Sequence, residues 1–310
     1  MLTQQDFAPV VLFVYARADH TQRTLAALAA NPEAIDTDLI IYADAARSEK
    51  DAAKVQAVRD IISHVTGFKS VTLHMREHNV GLAQNIIEGV TQVCQQYGRV
   101  IVLEDDIVTS PAFLGFMNAA LDRYKTESKV WHISGWNYPV ETDGLGDVFL
   151  WRLMNCWGWA TWADKWQNFN KDPQRLINNW NDNQKYYFDL DGAGVFWSQV
   201  LANNEGKINT WAIFWYATIF ENSGLCLNPS KSYVDNIGLD GSGVHCGNSQ
   251  TLVTTGYTLS NKSNLIWPSE IAESNQAVEA IKLYYKKQQK SFIVRATNKL
   301  ARLVLGKNIF

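Results

Sequence analysis

Eight residues, Arg99-Val100-Ile101-Val102-Leu103-Glu104-Asp105-Asp106, constrain this chain more than any other stretch. Residues 100–103 form an apolar, mostly β-branched run, the pattern of a strand covered on both faces. Three carboxylates follow at once, and Thr109-Ser110-Pro111 beyond them supplies an N-cap and a first-position proline for a new helix. The acids are therefore expected at the carboxyl end of a buried strand, where open α/β sheets hold their ligands. Adjacent anions repel unless a cation or hydrogen-bond donors neutralise them. A hard divalent ion, Mg²⁺ or Mn²⁺, takes oxygen ligands and bridges to phosphates. The plainer alternative is a helix N-terminus that favours negative charge.

The pattern around this stretch alternates strand and helix. Short apolar strands are expected at 10–15, 39–42, 71–74, 100–103 and 130–134. Helices are expected between them: one opening at Asp19 with Gln22 in the capping-box position, one over 51–65, one after Gly81, and one carrying Phe113, Phe116, Met117 and Ala120. Five such strands imply a mostly parallel sheet with right-handed crossovers, a nucleotide-binding architecture. Yet no GxGxxG follows the first strand and no GxxxxGK[ST] occurs anywhere, so the pyrophosphate is expected on a metal at the acidic triplet.

A chain of 310 residues is long enough for a sizeable core, and 46% hydrophobic with 19% charged residues is globular. A net charge of −3 argues against a general nucleic-acid binder. Eleven of the 12 Trp crowd between Trp131 and Trp215; aromatic faces suit sugars, but core packing accounts for most of them. Cys94, Cys156, Cys226 and Cys246 lack metal-type spacing, and with no recognisable signal peptide they fit a reducing cytoplasm. No apolar run is long enough to span a membrane.

The acidic triplet after the fourth strand resembles the metal-binding motif of GT-A-fold glycosyltransferases, in particular the GlcNAc-transferases of N-glycan branching, their O-mannose relatives and bacterial sugar transferases of that type. Phe13-Val14-Tyr15-Ala16-Arg17 resembles the family's opening strand, and 39–44, ending at Asp44, resembles its second. His78-Asn79-Val80-Gly81-Leu82-Ala83-Gln84-Asn85 resembles the segment that closes over the nucleotide. Ser134-Gly135-Trp136-Asn137 and Cys156-Trp157-Gly158-Trp159-Ala160-Thr161 resemble the acceptor-side strand and the Gly-Trp turn after it. Residues 228–232, 236–238 and 241–245 resemble the closing loop. The motifs stand in the family's order over residues 8–250.

The resemblance implies a metal, Mn²⁺ or Mg²⁺, held by Asp106, with Glu104 and Asp105 on the ribose or ligating through water. It implies Asp44 on a nucleobase N–H, Arg17 on the nucleotide, and Asn79 and Asn85 in the donor site. His245 is a candidate second metal ligand or phosphate contact. Trp136, Asn137, Arg152 and Trp157 are expected on the acceptor side. His74 and His78 are expected to be structural. One departure stands out. The family carries its acceptor-activating acid just inside the helix that corresponds to 211–215, where this chain has Ala212 and Ile213. A relocated base (Asp240, Glu221 or Asp143), a retaining reaction, or binding without turnover would each account for it.

The expected activity is inverting transfer of a sugar from a nucleoside-diphosphate donor, a UDP-sugar, to a glycan or lipid-linked acceptor in surface polysaccharide synthesis. A nucleotidyltransferase and a non-catalytic nucleotide-sugar or glycan-binding protein are the alternatives. Residues 1–265 are expected to form the catalytic domain and 266–310 a basic helical tail. Between Lys282 and Lys307 eight basic residues interleave with Phe292, Ile293, Ala296, Leu300, Leu303 and Val304 at helical spacing, with no acid after Glu279. Such a helix suits the inner, anionic face of the cytoplasmic membrane or a packing partner, and not nucleic acid.

Overall fold

Each expected strand alternates between two apolar faces, which forces helices onto both sides of the sheet. In β1 (Val10–Val14), Val11 and Phe13 enter one core while Val10, Leu12 and Val14 enter the other. In β4 (Arg99–Glu104), Val100 and Val102 join the first core, Ile101 and Leu103 the second. The computed structural model describes residues 6–240 and 258–288.

Between these strands lie α1 (Ala18–Ala29), β2 (Asp38–Ala43), α2 (Glu49–Ile62), β3 (Ser70–Met75) and α3 (Leu82–Tyr97). After β4 come β5 (Ile107–Thr109), α4 (Phe113–Tyr124), β6 (Val130–Ser134), β7 (Val148–Trp151) and β8 (Trp159–Trp162). Five helices, α5 (Ala163–Trp166), α6 (Pro173–Asn179), α7 (Asp182–Phe188), α8 (Trp197–Asn204) and α9 (Ala212–Glu221), precede β9 (Leu225–Pro229) and β10 (Val234–Asn236). A last helix, α10, runs over 275–288. α3 and the Trp-rich helices cover one face of the sheet; α1, α2 and α4 cover the other.

The sheet has eight strands in the order β3-β2-β1-β4-β8-β6-β9-β7. β1 pairs in parallel with both β2 and β4, so the order reverses between them. β8 is antiparallel to β4 and β6, while β9 runs parallel to β6 and antiparallel to β7. All five expected strands form. The Gly-Trp stretch is not only a turn: Trp159–Trp162 is a strand wedged between β4 and β6. Gly158 enters it at φ +59, and a β-carbon there would stand 2.9 Å from Val234.

Two helix starts differ from expectation. α1 begins at Ala18 with Arg17 as its N-cap residue and no side-chain cap, because a guanidinium has no acceptor to offer the first N–H groups. The residues after the triplet do not cap a helix at once. They form β5, which pairs with β10, and α4 starts only at Phe113.

The tryptophans are chiefly core: nine of them, among them Trp151, Trp159 and Trp215, are buried. α10 belongs to the body of the protein. Ala277, Val278 and Ile281 lie in the first core, and the Tyr285 hydroxyl donates to that of Tyr138 at 2.9 Å. The basic stretch of the expected tail after 288 lies outside the described residues. Among the described residues no helix is long and apolar enough to cross a membrane.

Candidate active site

Because β1 and β4 are parallel neighbours at the point where the strand order reverses, their carboxyl ends open a crevice. Arg17 leaves β1 and the acidic triplet leaves β4, so both arrive at this crevice. The Arg17 guanidinium pairs with Asp105 and, through Nη2, lies 2.9 Å from Asp106 Oδ2. The two aspartates are 4% and 6% exposed. Asp105 is further fixed by the Tyr15 N–H at 3.4 Å, and its carbonyl accepts from the Thr24 hydroxyl at 2.9 Å.

Burial is the main force on these acids. Burial, Asp106 and Asp105 together push Glu104 up to about 8, with Arg17 opposing. Burial raises Asp105 to about 6, Arg17 again opposing. Burial also works against the Arg17 charge, but the two aspartates outweigh it and hold the guanidinium protonated. One guanidinium thus faces two adjacent carboxyl groups at the end of β4.

The segment after β10 closes the crevice. The β5–β10 pairing brings Ile237 N to within 2.9 Å of the Asp106 carbonyl. Gly238 then lies so close that a β-carbon on it would overlap Asp106 Oδ2 and come within 2.8 Å of Arg17 Nη1. His20, on the first turn of α1, reaches the Ile237 carbonyl and Asp240 Oδ2, each at 3.3 Å. The sequence reading missed His20. Its spacing of three from Arg17, at the start of the helix after β1, was the available signal.

Asp44 ends β2 beside the crevice, but its oxygens are engaged. Oδ1 accepts from Ala45 N and Val80 N, and Oδ2 from Asn79 Nδ2 and Gly81 N, at 2.9–3.0 Å. In this geometry Asp44 ties the 79–81 loop to β2, and a nucleobase donor would have to displace one of these bonds. Asn85 is buried and accepts from Arg76 Nε at 3.0 Å. His74 stacks on Tyr42 at 4.5 Å, a packing role.

On the other side of β4, the carboxyl end of β6 carries Trp136 and Asn137. Trp136 meets the partly exposed Trp157 edge-on at 4.3 Å. Asn137 donates to the Ser230 carbonyl at 3.3 Å, and its own side-chain oxygen is buried without a partner.

Three expected site residues lie elsewhere. Glu221 ends α9 just before β9 begins, at the edge of the sheet opposite the acidic triplet. There it forms a two-pronged pair with Arg175 at 2.8 and 2.9 Å and accepts from the Trp180 indole, so its carboxylate is structural. Arg152 follows β7, which runs antiparallel to β9, and lands at that same far edge with Asp191 and Glu273. Asp143 is exposed on the loop before β7, with its carbonyl on Gln276. β7 is four strands from β4, on the order of 19 Å away at about 4.8 Å per strand. Of the three candidate bases only Asp240 stands at the crevice. His245 lies outside the described residues.

The donor chemistry suits a hard cation: carboxylate oxygens of Asp105 and Asp106 converge on one guanidinium. Among the described residues no third His, Cys, Asp or Glu completes a cluster, so phosphate and water oxygens would have to supply the remaining positions.

A model of the GNT-I family matches residues 1–186, more than half of the chain. The chain belongs to the GNT-I family. Glycosyltransferases of this family generally depend on a metal ion. No curated protein matches the sequence. Among solved structures it is similar to TarS of S. aureus, at 10% identity and a TM-score of 0.44 over 73% of this chain. The chain spans only 36% of that protein's length.

Proposed function

We propose that this GNT-I family chain transfers a sugar from a UDP-sugar to a hydroxyl of a glycan or lipid-linked acceptor, with inversion. The observation that carries the reading is the meeting of Arg17, Asp105 and Asp106 at the β1/β4 crevice beneath the Gly238–Asp240 turn. Asp105 and Asp106 are the residues to hold Mn²⁺ or Mg²⁺, which would supply Lewis-acid stabilisation of the leaving diphosphate. Arg17 adds fixed positive charge at the same point. Trp157, partly exposed and backed by the buried Trp136, offers an aromatic face to an acceptor sugar. Asp240, half-exposed beside His20, is the acid available to take the proton of the attacking hydroxyl. The basic residues from Lys286 onward favour work at the anionic inner face of a cytoplasmic membrane, where lipid-linked acceptors are built.

Ala212 favours a second reading, a nucleotide-sugar-binding protein without turnover. It begins α9 beside Trp211, which stacks on Trp159 at 5.1 Å where Trp159 pairs with Ser134, the last residue of β6, so it lies toward the crevice end of the sheet and carries no acid there. Incubation of the full chain with radiolabelled UDP-sugars and Mn²⁺ separates the two. Release or transfer of sugar supports the transferase; donor binding with no release over hours supports the binding protein.

A further inference from the structure

A cavity of about 290 Å³ opens at the carboxyl end of β9, beyond the acceptor-side Trp136–Asn137 segment. Three chain segments wall it. Ser230 N donates to the Asp147 carbonyl and Ser260 N to the Ser232 carbonyl, both at 2.8 Å, which joins the turn after β9 to the loop before β7 and to the 258–265 segment.

The charges lining the cavity are unequal. Asp147 accepts from Lys262 Nζ at 2.7 Å through both oxygens and from Ile266 N at 2.8 Å. The Lys262 bond and the Ile266 N–H hold its pKa below the usual carboxylate range. Its charge is therefore matched by Lys262. Lys231 is exposed at the cavity and has no carboxylate within ion-pair distance among the described residues. Ser230, also in the wall, has a buried hydroxyl with no partner, and the neighbouring Asn137 side-chain oxygen is buried and unpartnered as well. Buried polar atoms without partners are rare because they forfeit their water without replacement. Of these two atoms only the Ser230 hydroxyl can donate; it lies beside Lys231 in the wall.

We propose that this cavity is an acceptor subsite for an anionic oxygen group, a phosphate or a carboxylate borne by the glycan. The inference rests on the transferase reading and adds a substrate class to it. Lys231 supplies the charge, and the Ser230 hydroxyl, once its side chain turns toward the cavity, donates to an anionic oxygen, the charge-assisted bond that a neutral sugar does not offer. The position fits an acceptor and not the donor. β9 lies on the β8-β6 side of β4, whereas the strands beside a nucleotide, β1 to β3, lie on the other. From Tyr233 in the cavity wall to Gly238 over Asp106 the chain can span no more than about 18 Å. A glycan of a few units bridges that distance, with its anion in the cavity and its reacting hydroxyl at the crevice.

Calorimetric titration of the full chain with glycerol 3-phosphate, glucuronate and glucose tests the proposal, in wild type, Lys231→Gln and Ser230→Ala. The expected result is binding of at least one anion and not of glucose, weakened about tenfold in Lys231→Gln and also weakened in Ser230→Ala. Preference for glycerol 3-phosphate identifies a phosphodiester acceptor; preference for glucuronate identifies a uronate. Glucose binding as well as the anions, no binding of either anion, or anion binding unchanged in Lys231→Gln overturns the subsite. The thermal shift of the same proteins with UDP and Mn²⁺ is read in parallel. Its absence in wild type refutes the transferase reading instead, and Lys231→Gln is expected to leave it unchanged.

Discussion

Gly238 lies against Asp106 with no room for a side chain: a β-carbon would overlap the carboxylate oxygen. The relationship links the last part of the sheet to the acid at the end of β4 and makes the 237–240 turn one wall of the crevice. Gly238→Ala is expected to destabilise the fold by about 1–3 kcal/mol, the usual cost of overpacking, and to weaken metal-dependent donor binding. Thermal melts with and without UDP and Mn²⁺ check both effects. An unchanged Tm and an unchanged ligand shift would mean that the turn stands away from Asp106.

Glu104 gives a pH signature. Its pKa is raised from 4.5 to about 8, so the folded protein keeps a proton that the unfolded chain has lost. Stability is then full below about 4.5 and falls as pH climbs toward 8. Glu104→Gln is expected to melt about 3 °C or more above wild type at pH 8 without divalent ions, with the gap closing toward pH 4.5. Parallel Tm–pH curves would show that Glu104 ionises normally.

Asp240 is the one candidate base at the crevice. Asp240→Asn is expected to lower turnover by at least about 100-fold while leaving the donor-induced thermal shift intact. Loss of binding together with turnover would make it a donor contact. Loss of neither would return the search for the base to other acids.

Glu221 is expected to behave oppositely. Glu221→Gln breaks the pair with Arg175, and is expected to cost about 1–2 kcal/mol in urea melts with turnover within twofold of wild type. A large loss of turnover with normal stability would contradict its position at the far edge.

Much of the first half was legible because apolar runs on two faces leave few alternatives: β1, β2, β3, β4 and β6 all form where they were expected, and the triplet lies at a strand's carboxyl end. The second half was harder for reasons of direction. Glu221 and Arg152 look like site residues in a linear reading, but Glu221 ends α9 at the start of β9, a parallel strand, and Arg152 ends β7, whose antiparallel pairing with β9 is invisible in sequence, so both fall at the opposite edge. Trp159–Trp162 was read as part of a turn because four residues show no clear period. Arg17 was matched to the nucleotide, and its pairing with Asp105 and Asp106 emerges only when β1 and β4 lie side by side. Asp44 kept its location, yet its hydrogen bonds to the 79–81 loop depend on contacts 35 residues and more away in the chain.

The most direct measurement is a thermal-shift comparison of wild type and Asp106→Ala with UDP, in the presence and absence of Mn²⁺. A ligand that binds only the folded state raises Tm by mass action, by about 2.7 kcal/mol of stability at a hundred times its Kd. Wild type is expected to shift with UDP only when Mn²⁺ is present, and Asp106→Ala to show no shift with either. An equal, Mn²⁺-dependent shift in both proteins would contradict the assignment of the donor and metal site to the β1/β4 crevice.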